Sequence, residues 1–127
     1  MRRTEQRRAA MVALYQSDVT DRSAEALLDR AASDCTRELV DAVDRDRPEL
    51  DALIERHATG WSLDRIAPLE RNILRVALEE ILHRPDVPAE VAIDEAVEAA
   101  KALCSAEAPG FVNGILGGVM QSLPGSA

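Results

Sequence analysis

The sequence predicts an all-α fold of about seven helices. Apolar residues recur at helical spacing along almost the whole chain, and no stretch alternates convincingly with period two. The composition points the same way. It is rich in Ala, Leu, Glu and Arg, and Tyr15, Trp61 and Phe111 are the only aromatic residues, 2% of the chain. The core must therefore come from Leu, Ile, Val and Ala, a mixture that favours helix over sheet. With 127 residues of which 46% are hydrophobic, the chain suits one domain with a sizeable core and no crosslinks. Residues 1–123 are read as that domain and 124–127 as a disordered tail.

The first helix is expected from about Arg3 to Ser17. Ala9, Ala10, Val12, Ala13 and Leu14 share one broad arc, and Thr4, Arg7, Arg8, Met11 and Tyr15 gather on the other side. Arg7, Met11 and Tyr15 are spaced by four and form a row. The row reads either as a solvated face with a half-buried Tyr or as a binding face with cations at one end and a ring at the other. Ser23 can cap a second helix over Ala24–Ala32. A third, Cys35–Asp46, carries Leu39, Val40 and Val43. Pro48 suits the first position of a fourth, with Leu50, Leu53 and Ile54, ending near Gly60 in a left-handed conformation.

Trp61 falls in a connector. Pro68 opens a fifth helix to about His83, whose wide apolar arc (among it Leu69, Ile73, Leu74, Val76, Ala77 and Leu78) marks a central element. Glu70 and Glu80 project into that arc, and an unpaired buried carboxylate is costly. Glu80 reads as half of an internal ion pair. Glu70 reads either as a first-turn acid favoured by the helix dipole or as part of a docking surface. Pro85 stops this helix. A sixth runs from Pro88 to Leu103, with Ala92, Ala96 and Ala100 inward and Glu90, Asp94, Glu98 and Lys101 outward. The last is expected over Phe111–Ser122, where Gly114, Gly117 and Gly118 allow close packing.

A net charge of −8 argues against whole-surface binding to nucleic acid but leaves room for a local basic site. The N-terminus offers one in Arg2, Arg3, Arg7 and Arg8. Fourteen of fifteen basic residues are Arg, which suits phosphate contacts and base stacking, although a biased genomic base composition would also produce it. Cys35 and Cys104 form no CxxC, and His57 and His83 have no Cys or second His at ligand spacing, so no metal or cofactor is expected and both histidines are read as surface residues. No glycine-rich phosphate loop, HExxH or GxSxG occurs, and nothing supports an enzyme. No apolar run reaches membrane-spanning length and the N-terminus lacks a signal core, so a soluble cytoplasmic chain is expected.

The second half carries a specific pattern: Trp61-Ser62-Leu63-Asp64-Arg65-Ile66, then Leu69 to Glu80, Asp86-Val87-Pro88, VAIDEAVE from Val91, Ala100-Lys101, and FVNGIL from Phe111. In order and spacing over roughly 61–118 it resembles the NusB family of transcription antitermination factors. Arg7-Arg8-Ala9-Ala10 and Ala13-Leu14-Tyr15 add to the likeness; residues 18–50 match in character only. The resemblance implies two packed helical bundles. It implies binding, together with NusE (a small-subunit ribosomal protein), to the single-stranded boxA element of ribosomal RNA leaders, and entry into the RNA polymerase antitermination complex. It places Arg3, Arg7 and Phe111 at the RNA, and Tyr15 and Glu70 at NusE. Single-stranded RNA needs cations for phosphates and flat groups for bases, and these residues supply both. Some members self-associate, so a homodimer is allowed for. Thr4 and Glu5 interrupt the arginine cluster, and Pro109-Gly110, with Glu107 before them, stand where a polar or basic residue often precedes the Phe. Two other readings remain: an interaction module related to the N-terminal domain of ribosomal RNA cytosine methyltransferases, and a protein-interaction module without RNA binding.

Overall fold

In a computed structural model of the chain, which describes residues 3–124, the described residues form six α-helices and one 3-10 turn, with no strand. The helices are α1 Arg3–Thr20, α2 Ala24–Leu27, α3 Asp34–His57, α4 Pro68–His83, α5 Ala89–Leu103 and α6 Ala108–Ser122. Arg2 and the tail residues 125–127 lie outside the described part. No described helix is long and apolar enough to cross a membrane.

Helix α4 is the hub. Residues 72–80 are all buried, and α4 packs on α1, α3, α5 and α6. The group α1–α3 and the group α4–α6 meet along it, which is the expected pair of packed bundles. Ile73, Leu74, Val76 and Leu78 are fully buried there with Met11 and Leu14 of α1, Leu50 and Ile54 of α3, and Leu116 of α6. Such a helix must be apolar on several sides, and the wide arc of its sequence supplies that.

Four expectations are corrected. The third and fourth predicted helices are one 24-residue helix that runs through Pro48. Val43 and Leu50 are seven residues apart, so Leu39, Val40, Val43, Leu50 and Ile54 form one unbroken buried stripe, and burying it outweighs the local cost of proline. Helix α2 is a single turn. Leu28 is extended, and the Asp29 carboxylate accepts the Ala31 N–H at 2.8 Å, a local bond that competes with helix. Helix α6 starts at Ala108, three residues early, with Pro109 in its first turn, where a missing N–H costs nothing. On α1, Arg7 and Met11 are buried, so their side of the helix faces the protein and not the solvent.

Smaller features follow. Gly60 is left-handed as expected, at φ 82°. Gly114 and Gly117 border open space and mediate no close packing. A Cβ on Gly118 would lie 3.0 Å from Nδ1 of His57, so His57 is tucked against α6 and is not a free surface residue.

Candidate RNA and partner interface

The five residues singled out by the sequence fall into two places. Arg3 and Arg7 line a narrow cleft of about 40 Å³ between the start of α1, α3 and the turn after α4, together with Glu80, Arg84 and Asp86. Arg3 is open to solvent, its side chain 65% exposed, with a long 3.8 Å ion pair to Asp86. Arg84, which the sequence places only in a turn, lines the same cleft.

Arg7 is different. Its side chain is 7% exposed. Nε donates to both oxygens of Glu80 at 2.8 and 2.9 Å, and Nη1 donates to Glu95 at 3.3 Å. Thr4 donates to the same Glu95 oxygen at 2.6 Å. This network ties α1 to α4 and α5. The expected internal ion pair of Glu80 exists, and its partner is Arg7. A guanidinium with those partners and that burial holds α1 in place.

Tyr15, Glu70 and Phe111 share one groove on another part of the surface. It consists of two adjoining recesses. One, of about 310 Å³, is lined by Trp61, Arg65, Glu70, Glu107 and Phe111 among others. The other, of about 370 Å³, is lined by Tyr15, Leu69, Glu70 and Leu103 among others. Ala67, Glu70 and Ser105 belong to both. Phe111 therefore stands with the two expected partner residues and lines a different recess from Arg3. The first turn of α6 carries Phe111, the first turn of α4 carries Glu70, and the end of α1 brings Tyr15 alongside.

The electrostatics of the groove are specific. Burial pushes the Glu70 carboxyl above its ordinary range, and the charge of Glu107 adds to the shift. Among the described residues Glu70 makes no ion pair. A half-buried acid beside a second acid, walled by Tyr15, Trp61 and Phe111, favours a cationic group arriving from outside.

Sequence reasoning missed three features. Trp61 is 52% exposed and forms one wall of the groove. A lone Trp after Gly60 and before a helix start was the available signal. Arg65 sits beside it and supplies a cation within the groove. The third is a polar cluster under the far end of α1. Asp18 accepts from Arg71 at 3.2 Å, Asn72 at 2.8 Å and Arg75 at 2.8 Å, and Arg75 also grips Asp51 at 2.7 and 3.0 Å. Burial alone would raise the Asp18 carboxyl, but the Asn72 hydrogen bond and the Arg75 and Arg71 charges outweigh it and hold it below the usual range. This cluster fixes the end of α1 that presents Tyr15.

The comparisons with known proteins agree in one direction. A model described as the NusB family matches residues 4–121. The "Transcription antitermination protein NusB" of Rubrobacter xylanophilus is 43% identical over 98% of this chain and 94% of its own length. The protein of the same name from Myxococcus xanthus is 42% identical over 92% of this chain and 93% of its own. Among solved structures, T. maritima NusB superposes with a TM-score of 0.86 at 33% identity, covering 96% of this chain and 92% of that one. A chain of the complex of antitermination factors NusB and NusE with double-stranded RNA superposes with a TM-score of 0.82 at 26% identity, over 97% of this chain and all of that one.

Proposed function

Because the chain belongs to the NusB family, we propose that it is a cytoplasmic transcription antitermination factor without enzymatic activity. It pairs with NusE, binds boxA RNA of ribosomal RNA leaders with it, and joins the RNA polymerase elongation complex. The observation that carries the pairing is Glu70, half-buried beside Glu107 in an aromatic-walled groove and with no cation paired to it among the described residues. A ribosomal protein, basic because it binds RNA, supplies that cation. Tyr15 and Trp61 provide apolar area around the charge.

The RNA contacts are assigned to Arg3, with Arg84 beside it, for phosphate, and to Phe111, with Arg65, for base stacking. Arg7 acts indirectly by holding α1. The cations assigned to RNA here fall in two separate surface regions, Arg3 and Arg84 in one and Arg65 in the other, which favours RNA binding that depends on the basic partner. The test is titration of labelled boxA RNA with this chain alone and with NusE. Tight binding is expected only with NusE, weakening as salt is raised. Equal affinity with and without NusE would remove the partner from the RNA site, and no binding in either case would leave a protein-interaction module.

A further inference from the structure

We propose that Asp46 and Glu49 of α3 and His83 of α4 form a binding site for a first-row divalent metal ion, remote from the NusE groove, with Glu79 as its buried hydrogen-bonding support. The linear spacing hides it, because the ligands come from two helices. On α3, Asp46 and Glu49 are three residues apart, and on α4, Glu79 and His83 are four apart, so each pair sits on one helix face. Packing of α3 on α4 turns the two faces toward each other.

One ligand atom from each of Asp46, Glu49 and His83 lies within 4.8 Å of the others. His83 Nε2 is 2.7 Å from Glu49 Oε1 and 3.8 Å from Asp46 Oδ2. Donors bound tetrahedrally at about 2.0–2.1 Å stand about 3.3 Å apart, and these two separations bracket that value. Side-chain exposures of 38% for His83 and 53% for Glu49 leave the site open to a hydrated ion.

Exposed acids alone would not make a site. The independent observation is Glu79, which is 1% exposed. Its carboxyl meets that of Asp46, and its Oε1 is buried with no hydrogen-bond partner among the described residues. Two carboxyls in contact, one of them buried, cannot both stay ionised without a cation beside them. Arg45 only partly answers this. It donates to both oxygens of Asp46, at 3.2 and 3.1 Å, but its side chain is 68% exposed, so it can swing away when an ion takes the carboxylate. One imidazole with carboxylates suits Zn²⁺ or Mn²⁺ better than Mg²⁺. Three protein ligands leave a position for water, which donates to Glu79 Oε1.

The experiment is calorimetric titration of the chelator-stripped full chain with Zn²⁺, with the histidine imidazole resonances followed by NMR. Saturable binding of one equivalent is expected, shifting His83 and not His57, and persisting in excess Mg²⁺. His83→Ala and Glu49→Gln, both at exposed positions, should fold normally and lose binding at least tenfold. Glu79→Gln should weaken it less, and Arg45→Ala should tighten it by releasing Asp46. No saturable uptake, unchanged affinity in His83→Ala, or full displacement by Mg²⁺ would each overturn the site.

Discussion

Arg7 sits inside the protein with its guanidinium shared between Glu80 and Glu95, and its removal would leave Glu80 buried without a counter-charge. Breaking a buried pair from one side costs about 3–5 kcal/mol. Arg7→Ala should therefore lower the urea midpoint sharply, whereas Arg3→Ala, at a solvated position, should leave it nearly unchanged and weaken RNA binding in the presence of NusE. A stable Arg7→Ala protein with a selective loss of RNA affinity would return Arg7 to the RNA contacts. Glu79 gives a second prediction. Burial foremost, with the contact to Asp46, raises its carboxyl from 4.5 to about 7. The folded state thus holds a proton that the unfolded chain releases, and the stability is complete below about pH 4.5 and falls as the pH rises through 7. Glu79→Gln, which cannot ionise, should be more stable than the parent at pH 8, by roughly 1–3 kcal/mol, with little difference near pH 4.5. A gain of the same size at both pH values would mean that ionisation is not the cause. These two residues also mark what was legible at this scale. The wheel shows that Glu80 needs an internal partner, but it sets Arg7 and Met11 opposite the Ala-Leu arc, and the packing buries residues on both sides of α1.

At the scale of elements, periodicity located α1, α4 and α5 closely, because each carries one strong apolar face. It failed where a single residue type was read as punctuation. Pro48 reads as a helix start, yet the stripe from Leu39 to Ile54 passes it without a change of phase. Asp29 falls inside the predicted second helix, yet its side chain helps end α2. Proline inside a helix removes one backbone hydrogen bond and crowds the carbonyl of Asp44 four residues earlier. Pro48→Ala should restore that bond at an exposed position of α3 and stabilise the protein, by about 1–3 kcal/mol. The check is thermal denaturation of the two proteins side by side. A loss of stability would show that α3 is shaped around the proline and that straightening it disturbs the contact with α4.

At the scale of the whole molecule, the fold brings Tyr15 from the first helix, Glu70 from the fourth and Phe111 from the sixth to one groove. The sequence pattern named these residues, but only the packing shows that Phe111 stands with the proposed partner residues and apart from Arg3. No spacing along one chain reports such a division. The division makes the final prediction sharp. Glu70→Lys places a cation where a basic partner must bring its own, so like charges meet at the centre of the interface. Rim charges alter affinity little, whereas losing one side of a desolvated pair costs about 2–5 kcal/mol. Glu70 is half-buried and its carboxyl is already raised by burial, so the loss of NusE affinity should fall in that upper range. The fold should survive, since Glu70 anchors no ion pair among the described residues and the substitution also removes its repulsion with Glu107. The affinity of the lone chain for RNA should stay the same or rise with the added charge. RNA affinity measured with NusE should fall, because the basic partner is no longer held. Circular dichroism, partner titration and RNA titration separate the outcomes. If Glu70→Lys melts the protein while its folded fraction binds NusE unchanged, Glu70 is a structural acid and the partner docks elsewhere.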